Sequence, residues 1–242
     1  MLSFFKKKKS LVTDIGWLGV DLHSHLLPGL DDGSPDVETS MHLIKSLYEL
    51  GFERLICTPH IFKELYPNTA ATIMPALALV KTKIKTTNLP VSIAAAGEHM
   101  IDDNFVVNDD LLCLKDKYIL IEMSYLYESP RIEQVIFDLQ IAGYQVVLAH
   151  PERYTFYYKN YHQFERYKDM GVLFQLNLLS VTGYYGKEVK RTAEFLLEKH
   201  YYDLAATDLH HENHLKALTS VVVSGKLYEK LGDYPFKNKE IF

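Results

Sequence analysis

The sequence predicts an α/β fold in one domain, an incomplete or distorted barrel of parallel strands, on three observations. Short β-branched runs alternate with amphipathic segments; the 242 residues match the length of one such barrel; and no repeat, low-complexity tract or Gly/Ser linker divides the chain. Strand, helix and strand repeated in this way imply parallel pairing through crossover helices, and seven such units favour a barrel over an open sheet.

Strands are expected near residues 17–23, 53–58, 91–97, 118–123, 145–149, 172–178 and 202–207. The clearest helix is written in "SPDVETSMHLIKSLYELG". Ser34 can cap it, Pro35 suits its first turn, Asp36 and Glu38 favour its N-terminus, and Gly51 ends it. Further helices are expected near 70–87, 130–142, 161–170, 187–199 and 212–231, and only a short helical turn is expected between the third and fourth strands. Residues 1–16, with the lysine run Lys6 to Lys9, read as a basic tail ahead of a domain spanning 17–242.

Composition narrows the function. Hydrophobic residues make up 48% and charged residues 24%, so the chain can bury a core and is not of the disordered class. A net charge of −5 provides no broad basic footprint for nucleic acid. No apolar segment of signal length follows the lysines and no stretch approaches the roughly 20 apolar residues of a membrane span, so a cytoplasmic protein is expected. The two cysteines, Cys57 and Cys113, suit reduced thiols. Neither is followed six residues later by arginine (Lys63 and Ile119 stand there), which disfavours a thiolate phosphatase.

The polar residues collect at strand ends. His23 and His25 follow the first strand, His60 the second and Glu98 the third; Glu122 ends the fourth, His150 follows the fifth, and Asp208 with His210 follows the seventh. In a parallel barrel all strands end on one face, so these residues converge there. His23 and His25, two apart on an extended segment, point to one side, and Asp208 and His210 repeat that spacing. Asp32 lies in a Gly-bounded loop above the first pair. Imidazole and carboxylate without thiolate suit Zn, Fe or Mn, and the oxygen-rich mixture leans towards Mn. The donors outnumber what one ion can use, and two or three ions about 3.5–4 Å apart would employ them all.

Such a centre hydrolyses phosphate esters, and Arg153, three residues beyond His150, offers a forked donor for phosphate oxygens. His42, His162 and His200 read as structural or surface residues, whereas His99, His211 and His214 adjoin the site.

"DLHSHLLPGLDDGS", "CTPH", "GEHM", "LIEMS", "AHPERY" and "TDLHH" together resemble the successive motifs of the PHP (polymerase and histidinol phosphatase) superfamily. The resemblance runs from about residue 17 to 240 and is closest to bacterial metal-dependent tyrosine-protein phosphatases of capsule and exopolysaccharide loci. It implies a (β/α)7 barrel, a centre of three Mn ions (Zn, Fe or Mg being alternatives) and hydrolysis of phosphotyrosine on the tail of a bacterial tyrosine kinase that regulates polysaccharide export. Carried across by motif, the metal ligands are His23, His25, Asp32, His60, Glu98, Glu122, His150, Asp208 and His210, with Arg153 and Asp208 catalytic. Asp32 is preferred to Asp31 as the second residue of "DDG", and Glu98 is the choice for a bridging carboxylate.

One departure concerns phosphate binding. Relatives often carry a second arginine after the Asp-x-His motif, where this chain reads "DLHHENHLKAL"; His214 or Lys216 are substitutes, or Arg153 and the metals carry more of the load. "GYYGKE" is not a Walker loop, because Val181 stands where a glycine is needed. Tyrosines at 154–161 and 184–185 are candidates for a stacking rim around the mouth. Competing readings are a small-molecule phosphatase of the histidinol phosphate type, for which no amino-alcohol donors are identified, and a non-catalytic metal-binding module.

Overall fold

Two breaks turn the expected strands into nine segments without changing the number of staves. The computed structural model describes residues 11–158 and 160–242, so Lys6 to Lys9 lie outside the described residues. The strands are β1 (Val20–Asp21), β2 (Arg54–Cys57), β3 (His60–Ile61), β4 (Ser92–Ala95), β5 (Glu98–Met100), β6 (Tyr118–Glu122), β7 (Gln145–Ala149), β8 (Leu173–Asn177) and β9 (Tyr202–Ala206). All pair in parallel, in the orders β1-β2-β4 and β3-β5-β6-β7-β8-β9. Pro59, which lacks an N–H, separates β2 from β3, and Gly97 separates β4 from β5. Backbone bonds from Ala96 N to Cys57 O (2.8 Å) and Glu98 N to Pro59 O (3.1 Å) carry the pairing across both breaks. Each pair of short segments is therefore one stave of a distorted barrel.

The first and last staves meet beyond their ends. Asp208 N donates to His23 O and His25 N to Leu209 O, both at 2.9 Å, around a parallel bridge between Ser24 and Leu209. Side chains complete this seam. The Asp21 carboxylate accepts from Thr207 N (2.9 Å) and Oγ1 (2.6 Å), and the buried Asn238 amide donates to Val20 O (3.0 Å) and Ala205 O (2.7 Å). Inside the ring, alternate strand residues such as Val20, Leu120, Val147 and Leu204 form a small apolar cluster that Phe242 closes from below. Their neighbours, Ile119, Ile121, Val146 and Leu148 among them, face outward into the larger core under the helices.

The helices are α1 (Val37–Glu49), α2 (Ala70–Thr86), α3 (Ile132–Ile141), α4 (His162–Asp169), α5 (Lys187–Glu198), α6 (Glu212–Val223), α7 (Lys226–Leu231) and α8 (Asn238–Ile241). In α1, Ser40, Leu43, Ile44 and Leu47 make the buried stripe at helical spacing. Three expectations are corrected. Asp36 caps α1 by accepting from Thr39 N at 2.7 Å, whereas the Ser34 hydroxyl is buried without a hydrogen-bond partner. The expected 212–231 helix is two, because Gly225 adopts φ +72° between α6 and α7. No helix forms between β5 and β6. Ile15, within the expected tail, is fully buried and donates to Leu50 O at 2.8 Å.

Candidate metal centre

The seam between β1 and β9 fixes the first donors. Ser24 turns into the bridge with Leu209, which leaves His23 and His25 on its two sides with their rings inward and fully buried. His60 and Glu98 open β3 and β5, paired in register with each other, and Glu122 ends β6. His150 and Asp208 sit just past β7 and β9 with φ +32° and +51°. Left-handed backbone in non-glycine residues costs about 1–3 kcal/mol, and here it aims both side chains at the barrel axis.

The nine donors form overlapping groups: His25, Asp32, His60 and His210; His23, His150 and Asp208; His23, His25 and Glu98; His60, Glu98 and Glu122. Glu98 is central. Its Oε1 lies 3.2 Å from His23 Nε2 and 3.1 Å from His150 Nε2; its Oε2 lies 3.4 Å from His25 Nε2 and 3.0 Å from His60 Nδ1. Asp208 Oδ1 stands 3.3 Å from His23 Nε2 and 3.4 Å from His25 Nε2, and Glu122 Oε1 is 2.7 Å from His60 Nδ1. At the rim, Asp32 Oδ1 lies 3.5 Å from Nε2 of both His60 and His210.

A second layer orients the imidazoles. His25 Nδ1 donates to Asp31 at 2.7 Å, His23 Nδ1 to Gln175 Oε1 at 2.8 Å and His210 Nδ1 to Asp208 O at 2.9 Å, which leaves Nε2 of each ring facing the centre. Asp31 also accepts from Gly33 N and His60 N, both at 3.0 Å. Only glycine fits at 33, since a Cβ would stand 2.1 Å from His25 O. Burial by itself raises the carboxyls of Glu98 and Asp208, but the imidazoles around them, His23 first, hold both well below the usual range, so both remain anions.

The donor set fits divalent ions. Donors about 2.1 Å from an octahedral ion stand about 3 Å from their neighbours, the spacing seen around Glu98. Glu98 Oε2 is fully buried and, although two imidazole nitrogens lie within 3.4 Å, no properly directed hydrogen bond reaches it, an acceptor that a cation would satisfy. Nitrogen and oxygen donors without thiolate match the hard and borderline metals.

Arg153 borders this cluster. Its Nη1 donates to Asp208 Oδ2 at 2.6 Å, and its guanidinium carbon lies over the rings of Tyr125 (4.6 Å) and Tyr185 (4.3 Å). Asn177 Nδ2 donates to the same Asp208 oxygen at 2.8 Å. Tyr125, Asn177, Gln175 and Asp31 carry no motif signal beyond the acidic loop that contains Asp31.

The expected tyrosine rim is corrected at Tyr154 and Tyr157. Tyr154 and Tyr157 are buried in the core, with the Tyr157 hydroxyl donating to Glu128 at 2.6 Å, because the loop after His150 folds back onto the barrel. Tyr185 packs on Arg153, and the half-exposed Tyr184 stands edge-on to it. Lys216 is turned outward, 69% exposed and 3.7 Å from Glu212; His214 is beside the site, with Nδ1 3.3 Å from the His210 N–H. His42 pairs with Glu212 on the surface. Buried His99 bonds to Leu112 O at 3.1 Å behind Glu98 and is pushed down to about 4 by burial. Burial also pushes the Cys57 thiol up to about 12, which withdraws it from nucleophilic chemistry.

Residues 19–229 match the family described as capsular polysaccharide synthesis, CpsB/CapC. The tyrosine-protein phosphatase YwqE of Bacillus subtilis (strain 168) is 31% identical over 199 residues, covering 79% of this chain and 77% of that protein. The tyrosine-protein phosphatase CpsB of Streptococcus pneumoniae is 26% identical over 200 residues, covering 79% and 82%. Among solved structures, one from work on YwqE of Bacillus subtilis and CpsB of Streptococcus pneumoniae, described as unique metal-dependent tyrosine phosphatases, superposes with a TM-score of 0.78. It is 27% identical and covers 91% of both chains.

Proposed function

The chain belongs to the CpsB/CapC family of capsular polysaccharide synthesis proteins, and from that membership we propose that it is a metal-dependent tyrosine-protein phosphatase. The carrying observation is the nine-donor cluster at the strand ends with a guanidinium on its border. His23, His25, Asp32, His60, Glu98, Glu122, His150, Asp208 and His210 hold the ions, three Mn in our reading, with Zn, Fe or Mg as alternatives. Bound divalent ions supply an activated water and offset the charge of a phosphate.

This chain's own residues do the rest. Asp208 Oδ2 takes one of the five N–H donors of Arg153, and the remaining fork is directed at two phosphate oxygens. Tyr125 and Tyr185 pack against the guanidinium, so its donors are held in place before substrate arrives. Asn177 keeps Asp208 in place by its second hydrogen bond. The phosphorylated substrate is the tyrosine-bearing tail of a bacterial tyrosine kinase that controls capsular or exopolysaccharide synthesis, met in the cytoplasm. Consistent with a protein that does not span the membrane by a helix, no helix among the described residues is long and apolar enough to cross one.

The test is phosphate release from a phosphotyrosine peptide and from histidinol phosphate, using metal-stripped protein with Mn, Zn or Mg restored. Metal-dependent release from the peptide, highest with Mn, is the expected result. Activity on histidinol phosphate alone would move the protein to small-molecule metabolism, and no activity on either would leave a metal-binding module.

A further inference from the structure

The strands that deliver His60, Glu98 and Glu122 run on past the metal centre into a second cavity. Phe62 lies two residues beyond His60, Met100 two beyond Glu98, and Met123 directly after Glu122; all three line a groove of about 730 Å³. Tyr125 joins the two spaces. Its ring packs on Arg153, its hydroxyl lies 3.5 Å from His150 Nε2, and it lines the groove.

The outer wall is apolar and fixed. Leu126 is 83% exposed and Tyr127 64%, side chains that a soluble surface ordinarily covers or polarises when they cluster beside a cavity. Their loop is pinned on both sides. Thr155 Oγ1 donates to Tyr125 O at 2.9 Å, and Glu128 accepts from the hydroxyls of Tyr157 (2.6 Å) and Tyr167 (2.7 Å). The groove also carries acidic side chains, with Glu64 and Asp103 both exposed. Arg131, the cation beside this loop, is committed to the carbonyls of Asp102, Asp103 and Phe105 at 3.0–3.2 Å. The methionine floor adapts to side chains of different shape.

We propose that this groove is a specificity subsite that seats the residues flanking the phosphotyrosine of an extended substrate segment, favouring one basic and one apolar side chain. The proposal rests on the phosphotyrosine reading above. Continuity through Tyr125 sets the occupant: a chain whose phosphotyrosine reaches Arg153 must lay its neighbouring residues along this wall. Glu64 and Asp103 attract the basic one, and Leu126 and Tyr127 cover the apolar one.

Three substrates test it on the metal-loaded protein: free phosphotyrosine, a phosphotyrosine peptide flanked by Lys and Leu, and one flanked by Glu. The Lys/Leu peptide should exceed the Glu peptide about tenfold in kcat/KM, mainly through KM, the size expected of two exposed ion pairs with added apolar contact. The preference should shrink as salt rises. The exposed double substitution Glu64→Lys with Asp103→Lys should reverse the charge preference and leave free phosphotyrosine turnover unchanged; Leu126→Asp should weaken the Lys/Leu peptide and leave free phosphotyrosine turnover unchanged. Equal kcat/KM for the two peptides would overturn the subsite and leave the phosphatase standing. No release from any of the three substrates would overturn the phosphatase reading and the subsite with it.

Discussion

Arg153 and Asp208 share one short hydrogen bond, Nη1 to Oδ2 at 2.6 Å, while the other oxygen of the same carboxylate faces His23 and His25 at 3.3 and 3.4 Å. Asp208 thus ties the guanidinium to the histidine–carboxylate cluster, and any shift of one is felt by the other.

Arg153→Ala should therefore raise KM for a phosphotyrosine peptide and lower kcat/KM by about 10²-fold, the usual scale for losing a preorganised donor to a developing charge. Arg153→Lys should recover little, because an ammonium neither forks to two oxygens nor stacks on the Tyr125 and Tyr185 rings as a planar guanidinium can. Asn177 still satisfies the Asp208 oxygen in both variants, so metal content should hold. Steady-state kinetics beside metal analysis separate the roles: a fall in thermal stability with kinetics unchanged would make Arg153 a structural residue.

Replacing His23 and His25 together by Ala should lower turnover by several orders of magnitude and reduce bound metal. The barrel should persist, since its interior stands on apolar side chains such as Leu120, Val147 and Leu204, and the polar space left behind can take water. Circular dichroism with metal analysis and turnover checks this. Full turnover in the double variant would defeat the metal-centre reading.

These donors were visible in the sequence because each follows an apolar run, and a parallel barrel sends all such positions to one face. The seven staves were visible for the same reason; the interruptions at Pro59 and Gly97 were not, since pairing continues through the backbone on either side of them. Tyr125, Asn177 and Gln175 gain their roles only when the ring brings β6, β7, β8 and β9 together, and nothing in their local sequence marks them. The misplaced rim has a matching cause. Tyr154 and Tyr157 stand in the loop after His150, but the chain folds back so that Tyr154 bonds to Ala149 O and Met123 N, both at 3.1 Å, inside the core.

Cys57 provides a test of what the protein does not use. Its thiol is fully buried and pushed up to about 12 by burial, so it stays protonated across the working range of pH. Cys57→Ala and Cys113→Ala should each retain phosphatase activity, and iodoacetamide should leave the native protein active. Rapid inactivation protected by phosphate would show that a cysteine serves the reaction.

Asp31 and Asp32 adjoin in the chain and predict opposite phenotypes. The Asp31 side chain is fully covered and bonds to His25 Nδ1 and the backbone N–H groups of Gly33 and His60; Asp32 is 55% exposed and aims Oδ1 at His60 and His210. Asp31 therefore positions His25 and the backbone of His60, and on the metal-centre reading it stands behind the ligands. Asp31→Asn keeps the size and an acceptor oxygen but removes the charge that fixes the His25 ring. Metal affinity should fall about 10–100-fold, the range for losing a partner behind a ligating histidine, with kcat restored by excess metal. Asp32→Asn, by contrast, weakens a donor itself, so saturation with metal should restore kcat only in part. Titrating activity against Mn in both variants distinguishes them. A loss in Asp31→Asn that no metal concentration repairs would place Asp31 among the groups acting on substrate, not behind the ligands.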